Sequence, residues 1–408
     1  MKTAHSRIKV MYAVTIANSV IYNQGQFRYL RQAGCDVHFV SSSGSEAESA
    51  ASREAFTCHT VEMEREISGV RDILSLCRLI ALYRRIRPVI SNVGTPKASL
   101  LAGLAAYVTR VPCRIYTMHG LRLETTTGFK RWMLRQIERL NCGMAHRVIC
   151  ASESLRNRAI ELGLAGYSKT IVLGSGSTNG VDTNRYIMTE KLRGQADKLR
   201  TELGLQQGPV IGFVGRITRD KGVVELLQAY RQVKEKYPSV KLLLVGKIEQ
   251  GDPIPDDALD AIRQDPSIIH AGYQDDPIPY YHVMDVLAFP THREGFGNVS
   301  IEAAAAGIPV VTTDATGSRD TILPGRTGLL VSKGNHCELA AAIEELLSNP
   351  SRARAMGNAG RNWVRQHFES ATVWDELYRV YRIMLASNGY PVEMNIPVQD
   401  QQAEARYR

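Results

Sequence analysis

Two glutamates bound the segment Glu294-Gly-Phe-Gly-Asn-Val-Ser-Ile-Glu302. The glycines at 295 and 297, followed by an alanine-rich run, predict a loop entering a helix. There the first backbone N–H groups have no intrahelical partner and the helix dipole is positive. On that reading the eight-residue step leaves the two carboxylates about two turns apart on neighbouring faces. Amides at a helix start can hold a diphosphate, and carboxylates can accept hydrogen bonds from hydroxyls. Together these groups suit a sugar nucleotide, with one carboxylate on the sugar and one on the ribose. Taken alone the spacing recurs by chance, and the plainer reading is a loop acid followed by a helix-surface acid.

A second piece lies upstream in Phe213-Val-Gly-Arg216-Ile-Thr-Arg-Asp-Lys221-Gly222, where an apolar strand runs into a helix. Arg216 and Lys221 place two cations at a strand's carboxyl end, where open α/β sheets bind nucleotides. Basic residues at a helix start oppose the dipole unless an anion sits between them. A third candidate is His119 in Tyr-Thr-Met-His119-Gly120, again just past a strand. A lone histidine is more often structural.

Together these segments resemble the family 4 glycosyltransferases, which have the GT-B fold and act with retention, and the resemblance runs from about Ile8 to about Leu385. The variant is similar to the subgroup of bacterial capsule and exopolysaccharide gene products. The resemblance implies that Glu294 contacts the transferred sugar, Glu302 the ribose, and Arg216 and Lys221 the leaving diphosphate without a metal ion. It also implies that His119 lies near the sugar's 6-hydroxyl. Gly215, Gly295, Phe296, Gly297 and Asn298 would complete the donor cradle, and Gly272 and Tyr273 would form the nucleobase pocket. Two departures stand out. Gly317-Ser-Arg-Asp320 replaces a usual Gly-Gly-x-x-Glu, and Thr15-Ile-Ala-Asn18-Ser19 with Gln24-Gly25-Gln26 replaces a paired-glycine loop.

Members of that subgroup use polyprenyl-diphosphate sugars as acceptors, which implies peripheral contact with an anionic membrane at its cytoplasmic face. Lys130, Arg131, Trp132 and Arg135 fall together on an amphipathic helical stretch suited to such an interface. In the competing reading Trp132, Leu134 and Ile137 pack inward and the bases face water. Arg84, Arg85 and Arg87 close another basic helix.

The elements that must position these residues alternate along all 408 residues. Strand-like runs at Arg7–Val14, Val37–Val40, Val89–Ser91, Arg114–Thr117, Arg147–Ala151 and Thr170–Leu173 are separated by helical stretches. A second series follows at Val210–Val214, Lys241–Val245, Ile268–His270, Val286–Phe289, Val310–Thr312 and Gly328–Val331. Such βα alternation predicts parallel sheets covered on both faces, hence an α/β chain of two doubly wound, Rossmann-like domains. The resemblance implies that the domains face each other across a cleft and that a C-terminal helix crosses back to the N-terminal one. The expected boundaries are an acceptor domain at 1–182, a nucleotide-sugar domain at 183–367, a crossover helix at 368–388 and a disordered tail at 389–408. The Gly/Ser/Asn-rich stretch Gly174–Asp182 is the hinge candidate.

Composition is that of a globular chain, with 44 % apolar and 22 % charged residues. The seven cysteines form no Cys-x-x-Cys and no metal-spaced set, so a reducing cytoplasm and no metal are expected. The apolar start Ile8–Ala17 alternates with polar residues and reads as a buried strand, with no signal peptide expected. No run reaches the length of a membrane span. Residues 1–185 hold 25 Lys and Arg against 13 Asp and Glu, and the remainder 25 against 28. A basic first half suits an anionic partner or is simply a solvated face.

The function expected is transfer of a hexosyl or N-acetylhexosaminyl group from a nucleotide sugar, UDP-linked, to a lipid-linked saccharide, with no separate cofactor and no nucleic-acid partner. Two alternatives differ in what they would turn over. A sugar-nucleotide epimerase of the same fold would convert the donor without acceptor. A non-catalytic polyanion-binding protein would bind nucleic acid in a salt-sensitive way.

Overall fold

The computed structural model describes residues 7–64 and 68–390. The chain forms two compact units, one running to Asn179 and resumed from Ser370, the other Gly180–Glu369. The crossing falls three residues before the expected 182. Val181 bridges to Glu369, and the Asp182 side chain accepts from Asn184 N, so both residues already serve the second unit. The tail expected to be disordered lies, from residue 391, outside the described residues.

In the first unit seven strands, β1 (Ile8–Ala13), β2 (Cys35–Ser41), β3 (Thr57–Thr60), β4 (Ile90–Gly94), β5 (Cys113–Met118), β6 (Arg147–Cys150) and β7 (Thr170–Val172), form a parallel sheet. Its order is β3-β2-β1-β4-β5-β6-β7. The edge strand β3 has no counterpart in the sequence reading. Its residues Thr-Cys-His-Thr are polar and only partly covered, so no apolar run marks it.

The second unit holds β8 (Val210–Val214), β9 (Lys241–Val245), β10 (Ile268–Gly272), β11 (Val286–Phe289), β12 (Val310–Thr313) and β13 (Gly328–Val331). Their order is β10-β9-β8-β11-β12-β13, again parallel. Strands covered on both faces read as unbroken apolar runs, and Val210–Val214 is buried throughout. In both sheets the order reverses beside the first strand of the series, and open α/β sheets bind ligands at the carboxyl ends there.

The terminal helix Ser370–Ser387 packs into the first unit's core through Val373, Leu377, Val380, Tyr381, Met384 and Leu385. Tyr381 anchors it: its hydroxyl lies 2.6 Å from that of Tyr12 and accepts from Asn92 Nδ2 at 2.9 Å. Gly25 sits at φ +82°, and a Cβ there would lie 2.5 Å from Trp374 Cη2. Packing of this helix therefore accounts for the glycine.

Candidate active site

In the second unit the segments singled out in sequence converge at the carboxyl ends of β8 and β11. After β8 the chain turns through Gly215, Arg216 and Ile217, whose N–H bonds Lys247 O at 2.9 Å, and reaches the short turn Arg219–Lys221. Gly222, at φ +70°, then caps the helix Val223–Lys236. A Cβ at Gly222 would lie 1.9 Å from Pro290 O, so only glycine lets the loop after β11 close onto this turn. That approach brings Lys221 Nζ onto Glu294 Oε1 as an ion pair with both side chains under 15 % exposed. Thr291 Oγ1 donates to the same carboxylate oxygen at 3.0 Å, and Glu294 N donates to Thr316 O at 2.9 Å.

One geometric expectation is corrected. Glu294 is not on the helix. The helix begins at Asn298, with Gly297 as its cap at φ +95°, so Glu294 stands in the loop and Glu302 in the second turn of the helix. The two carboxylates are thus not two turns apart on one helix. Gly295 and Gly297 bend the backbone, and burial of Phe296 (4 % exposed) pins the bend. The helix start nevertheless leaves its first amides beside the loop that carries Glu294.

Glu302 Oε2 accepts from Tyr281 OH at 2.7 Å. Burial raises its pKa, opposed by Tyr281 and by Arg185. Arg216 reaches outward, half exposed, to Glu249 Oε2 at 2.8 Å. Both predicted phosphate cations are thus matched to carboxylates in the protein, Lys221 to Glu294 and Arg216 to Glu249. Gly272 ends β10 at a register shift, at φ +70°, with its carbonyl accepting from Gly246 N at 2.8 Å; Tyr273 beside it is 57 % exposed.

Residues to which the sequence reading gave no role complete this cluster. Arg293 pairs with Asp220, and His292 Nε2 lies 3.0 Å from Glu225 Oε1. Gly317, at φ +78°, is required because a Cβ would lie 2.7 Å from Glu294 O. Its singleton glycine in Gly317-Ser-Arg-Asp320 was the one available signal. Thr291, Glu249 and Tyr281 carry no local signal, since each acts on a residue in a different loop.

In the first unit His119 follows β5, at the carboxyl end expected, and is exposed. A Cβ on Gly94, the last residue of β4, would lie 3.0 Å from His119 Nε2. The protein crowded around the imidazole disfavours its charged form and lowers its pKa, although the residue keeps contact with solvent. The ordinary value is already below 7, so the neutral form prevails at pH 7. Beneath it Thr117 Oγ1 donates to Asn92 Oδ1 at 2.7 Å, joining the Tyr12–Tyr381 network. Thr15 and Thr95 tie the ends of β1 and β4 together, Oγ1 to Oγ1 at 2.8 Å.

The amphipathic stretch forms the helix Gly128–Met144. Phe129 and Trp132 are 77 % and 57 % exposed and stack at 5.6 Å, while Leu134 and Ile137 are partly covered. Lys130 is exposed and Arg131 partly so, but Arg135 donates from Nε and Nη2 to Leu162 O at 3.0 and 2.7 Å. Arg135 caps the neighbouring helix Glu153–Glu161 and is not a free interfacial cation. Arg84 and Arg85 lie in the last turn of Gly69–Ile86, where cations complement the dipole.

Among the described residues no helix is long and apolar enough to cross a membrane, and no group of three or more His, Cys, Asp or Glu is arranged to hold a metal ion. All seven cysteines are free thiols.

Two parallel α/β units, the second with the Lys221–Glu294 pair at strand carboxyl ends beside a helix start, have the architecture in which open α/β sheets bind anionic ligands. Residues 195–363 match the family described as glycosyl transferases group 1, and residues 20–176 the glycosyl transferase 4-like domain. The capsular polysaccharide biosynthesis glycosyltransferase CapM of Staphylococcus aureus is 40 % identical over 378 residues, 92 % of this chain and 97 % of its own. A GDP-mannose-dependent phosphatidylinositol monomannoside mannosyltransferase of Mycolicibacterium smegmatis is 31 % identical over 201 residues, 47 % of this chain and 52 % of its own. Anabaena Alr3699/HepE, solved with UDP-glucose, matches with a TM-score of 0.77 at 18 % identity, covering 92 % of this chain and 99 % of that one. The chain therefore belongs to the group 1 glycosyltransferases, has the GT-B fold and is a glycosyltransferase.

Proposed function

We propose that the protein transfers a hexosyl or N-acetylhexosaminyl residue, with retention, from a UDP-sugar to a polyprenyl-diphosphate-linked saccharide during assembly of a surface polysaccharide. The observation that carries this reading is the convergence of Lys221, Glu294 and the amides opening the helix Asn298–Ala306 at the carboxyl end of β11. Full-length similarity to a capsule glycosyltransferase supports the pathway, and the UDP-glucose complex of a neighbour of the same fold supports the donor class.

In this mechanism the leaving diphosphate draws Lys221 and Arg216 from Glu294 and Glu249. The cations and the helix amides then take up the charge that develops as the C1–oxygen bond breaks. Released from Lys221, the Glu294 carboxylate accepts from sugar hydroxyls, with Asn298 beside it. Glu302 takes the ribose, and Gly272 and Tyr273 border the base. No metal is assigned a role. His119, neutral at pH 7, is the first unit's polar group at the end of β5 and serves the sugar or acceptor as a hydrogen-bonding partner. Phe129, Trp132, Lys130 and Arg131 would hold the enzyme on the cytoplasmic face of an anionic membrane, where such acceptors reside.

The test is a panel of UDP-, GDP- and dTDP-sugars assayed for slow hydrolysis by the purified protein, followed by transfer to a polyprenyl-diphosphate saccharide with the product anomer read by NMR. Turnover confined to a GDP-sugar would replace the donor assignment. An inverted anomer would remove retention.

A further inference from the structure

At the amino-terminal edge of the first sheet, at the other end of β5 from His119, lies an open pocket of about 410 Å³. Arg114 to His119 is five strand residues, roughly 16 Å, so this pocket is separate from the groups assigned above. Arg114, His146, Arg147 and Lys169 line it together with the small residues Gly143, Ala145 and Ser168. Four of its lining residues are basic and none is acidic.

The backbone holds these bases in place. Arg114 donates from Nε to Met144 O at 2.8 Å and from Nη1 to Val111 O at 2.9 Å. Lys169 Nζ reaches Gly143 O at 3.2 Å, and Arg147 Nη1 reaches Ser168 O at 3.4 Å. Arg114 N donates to His146 Nδ1 at 3.3 Å, which leaves the neutral ring with its proton on Nε2 as a further donor. Tyr107 lies against the Arg114 guanidinium, 5.3 Å from ring centroid to Cζ, and fixes its plane.

The carbonyl end of the helix Gly128–Met144 offsets part of this charge. A helix terminus supplies roughly half an elementary charge, against three full positive charges from Arg114, Arg147 and Lys169. The positive excess remains. Burial first, and then Arg114, Lys169 and Arg147, disfavour the charged form of His146; burial, opposed by Cys142 and joined by Arg114, lowers the pKa of Lys169.

We propose that this pocket is a second anion site that binds a phosphate-bearing group, separate from the donor site. Two or more planar or ammonium donors converging on one concavity match a phosphate monoester or diphosphate. The phosphate can come from a soluble ester or from a phospholipid headgroup.

The wild-type full chain is titrated with inorganic pyrophosphate while the imidazole signals of His146 are followed by NMR, assigned with His146→Gln. A saturable shift with a raised His146 pKa is expected, and an unmoved signal through the millimolar range overturns the proposal. The same titration on Arg147→Gln/Lys169→Gln, checked by circular dichroism for folding, should show affinity at least tenfold weaker; unchanged affinity overturns the proposal. Flotation with phosphatidylglycerol and with phosphatidylcholine vesicles separates the sources. Loss of phosphatidylglycerol binding in the double variant identifies a lipid headgroup, and loss confined to pyrophosphate identifies a soluble ligand.

Discussion

Lys221 and Glu294, 73 residues apart in sequence, form one ion pair at the heart of the second unit. Each is the other's counter-ion before any donor arrives, so the pair keeps two charges in a partly closed place without the desolvation cost of leaving either alone. Lys221→Ala and Glu294→Ala should each lower transfer by about a hundredfold or more. Each should also lower stability by about 2 kcal/mol, since a largely buried charge loses its partner. Steady-state kinetics and denaturant unfolding check both, and a near-wild-type rate in either variant removes that residue from the chemistry.

Gly94 leaves room for the His119 ring. Gly94→Ala puts a methyl 3.0 Å from Nε2 in a backbone conformation that alanine accepts. The ring must move by a few tenths of an ångström, and transfer should fall about tenfold with the melting temperature nearly unchanged. An unaffected rate would show that the position of His119 does not matter.

Tyr381 joins the terminal helix to the first sheet through Tyr12 and Asn92. Tyr381→Phe keeps the ring but strips partners from two buried polar groups, costing about 1–3 kcal/mol. Urea unfolding measures this, and hydrogen exchange should show the loss first in Ser370–Ser387.

Glu138 is 5 % exposed and accepts from Tyr116 OH at 2.7 Å. Burial pushes its pKa up from the ordinary carboxyl range to about 7. Below the unfolded value both states hold the proton. As pH rises from about 4.5 to about 7 the unfolded chain loses it first, so the folded state is penalised by up to about 3 kcal/mol. Glu138→Gln should therefore melt like the wild type at the acid end of that window and at a higher temperature above pH 7. An equal difference at both ends would contradict the shift.

Phe129 and Trp132 stack in the open, beside Lys130 and Arg131. Phe129→Ser/Trp132→Ser and, separately, Arg131→Glu should each weaken binding to phosphatidylglycerol vesicles by about tenfold. Arg135 is a poor test because its guanidinium is committed to Leu162 O. Sedimentation that ignores both variants would remove the helix Gly128–Met144 from the membrane contact.

Much of the architecture was legible because buried parallel strands are unbroken apolar runs. Val210–Val214, Lys241–Val245 and Val286–Phe289 fall at the residues expected. The polar edge strand β3 escaped for the opposite reason, being only half covered. Of the candidate site, the residue types and their places at strand ends could be read, because glycines and charges at a strand-to-helix turn are local signals. Their pairings could not. Nothing near Arg216 announces Glu249, and nothing near Glu302 announces Tyr281, because each bond joins loops far apart in the chain.

The sequence by itself thus determined the two α/β series, the identity of the charged groups at their carboxyl ends and the apolar face of the terminal helix, since these follow from periodicity and local backbone demands. Tertiary structure alone decided that Glu294 stands in a loop against Lys221, that Gly25 exists to admit Trp374, and that Arg114, His146, Arg147 and Lys169 share one pocket. Contacts of that kind depend on how separate elements close on one another, which no local stretch of chain encodes.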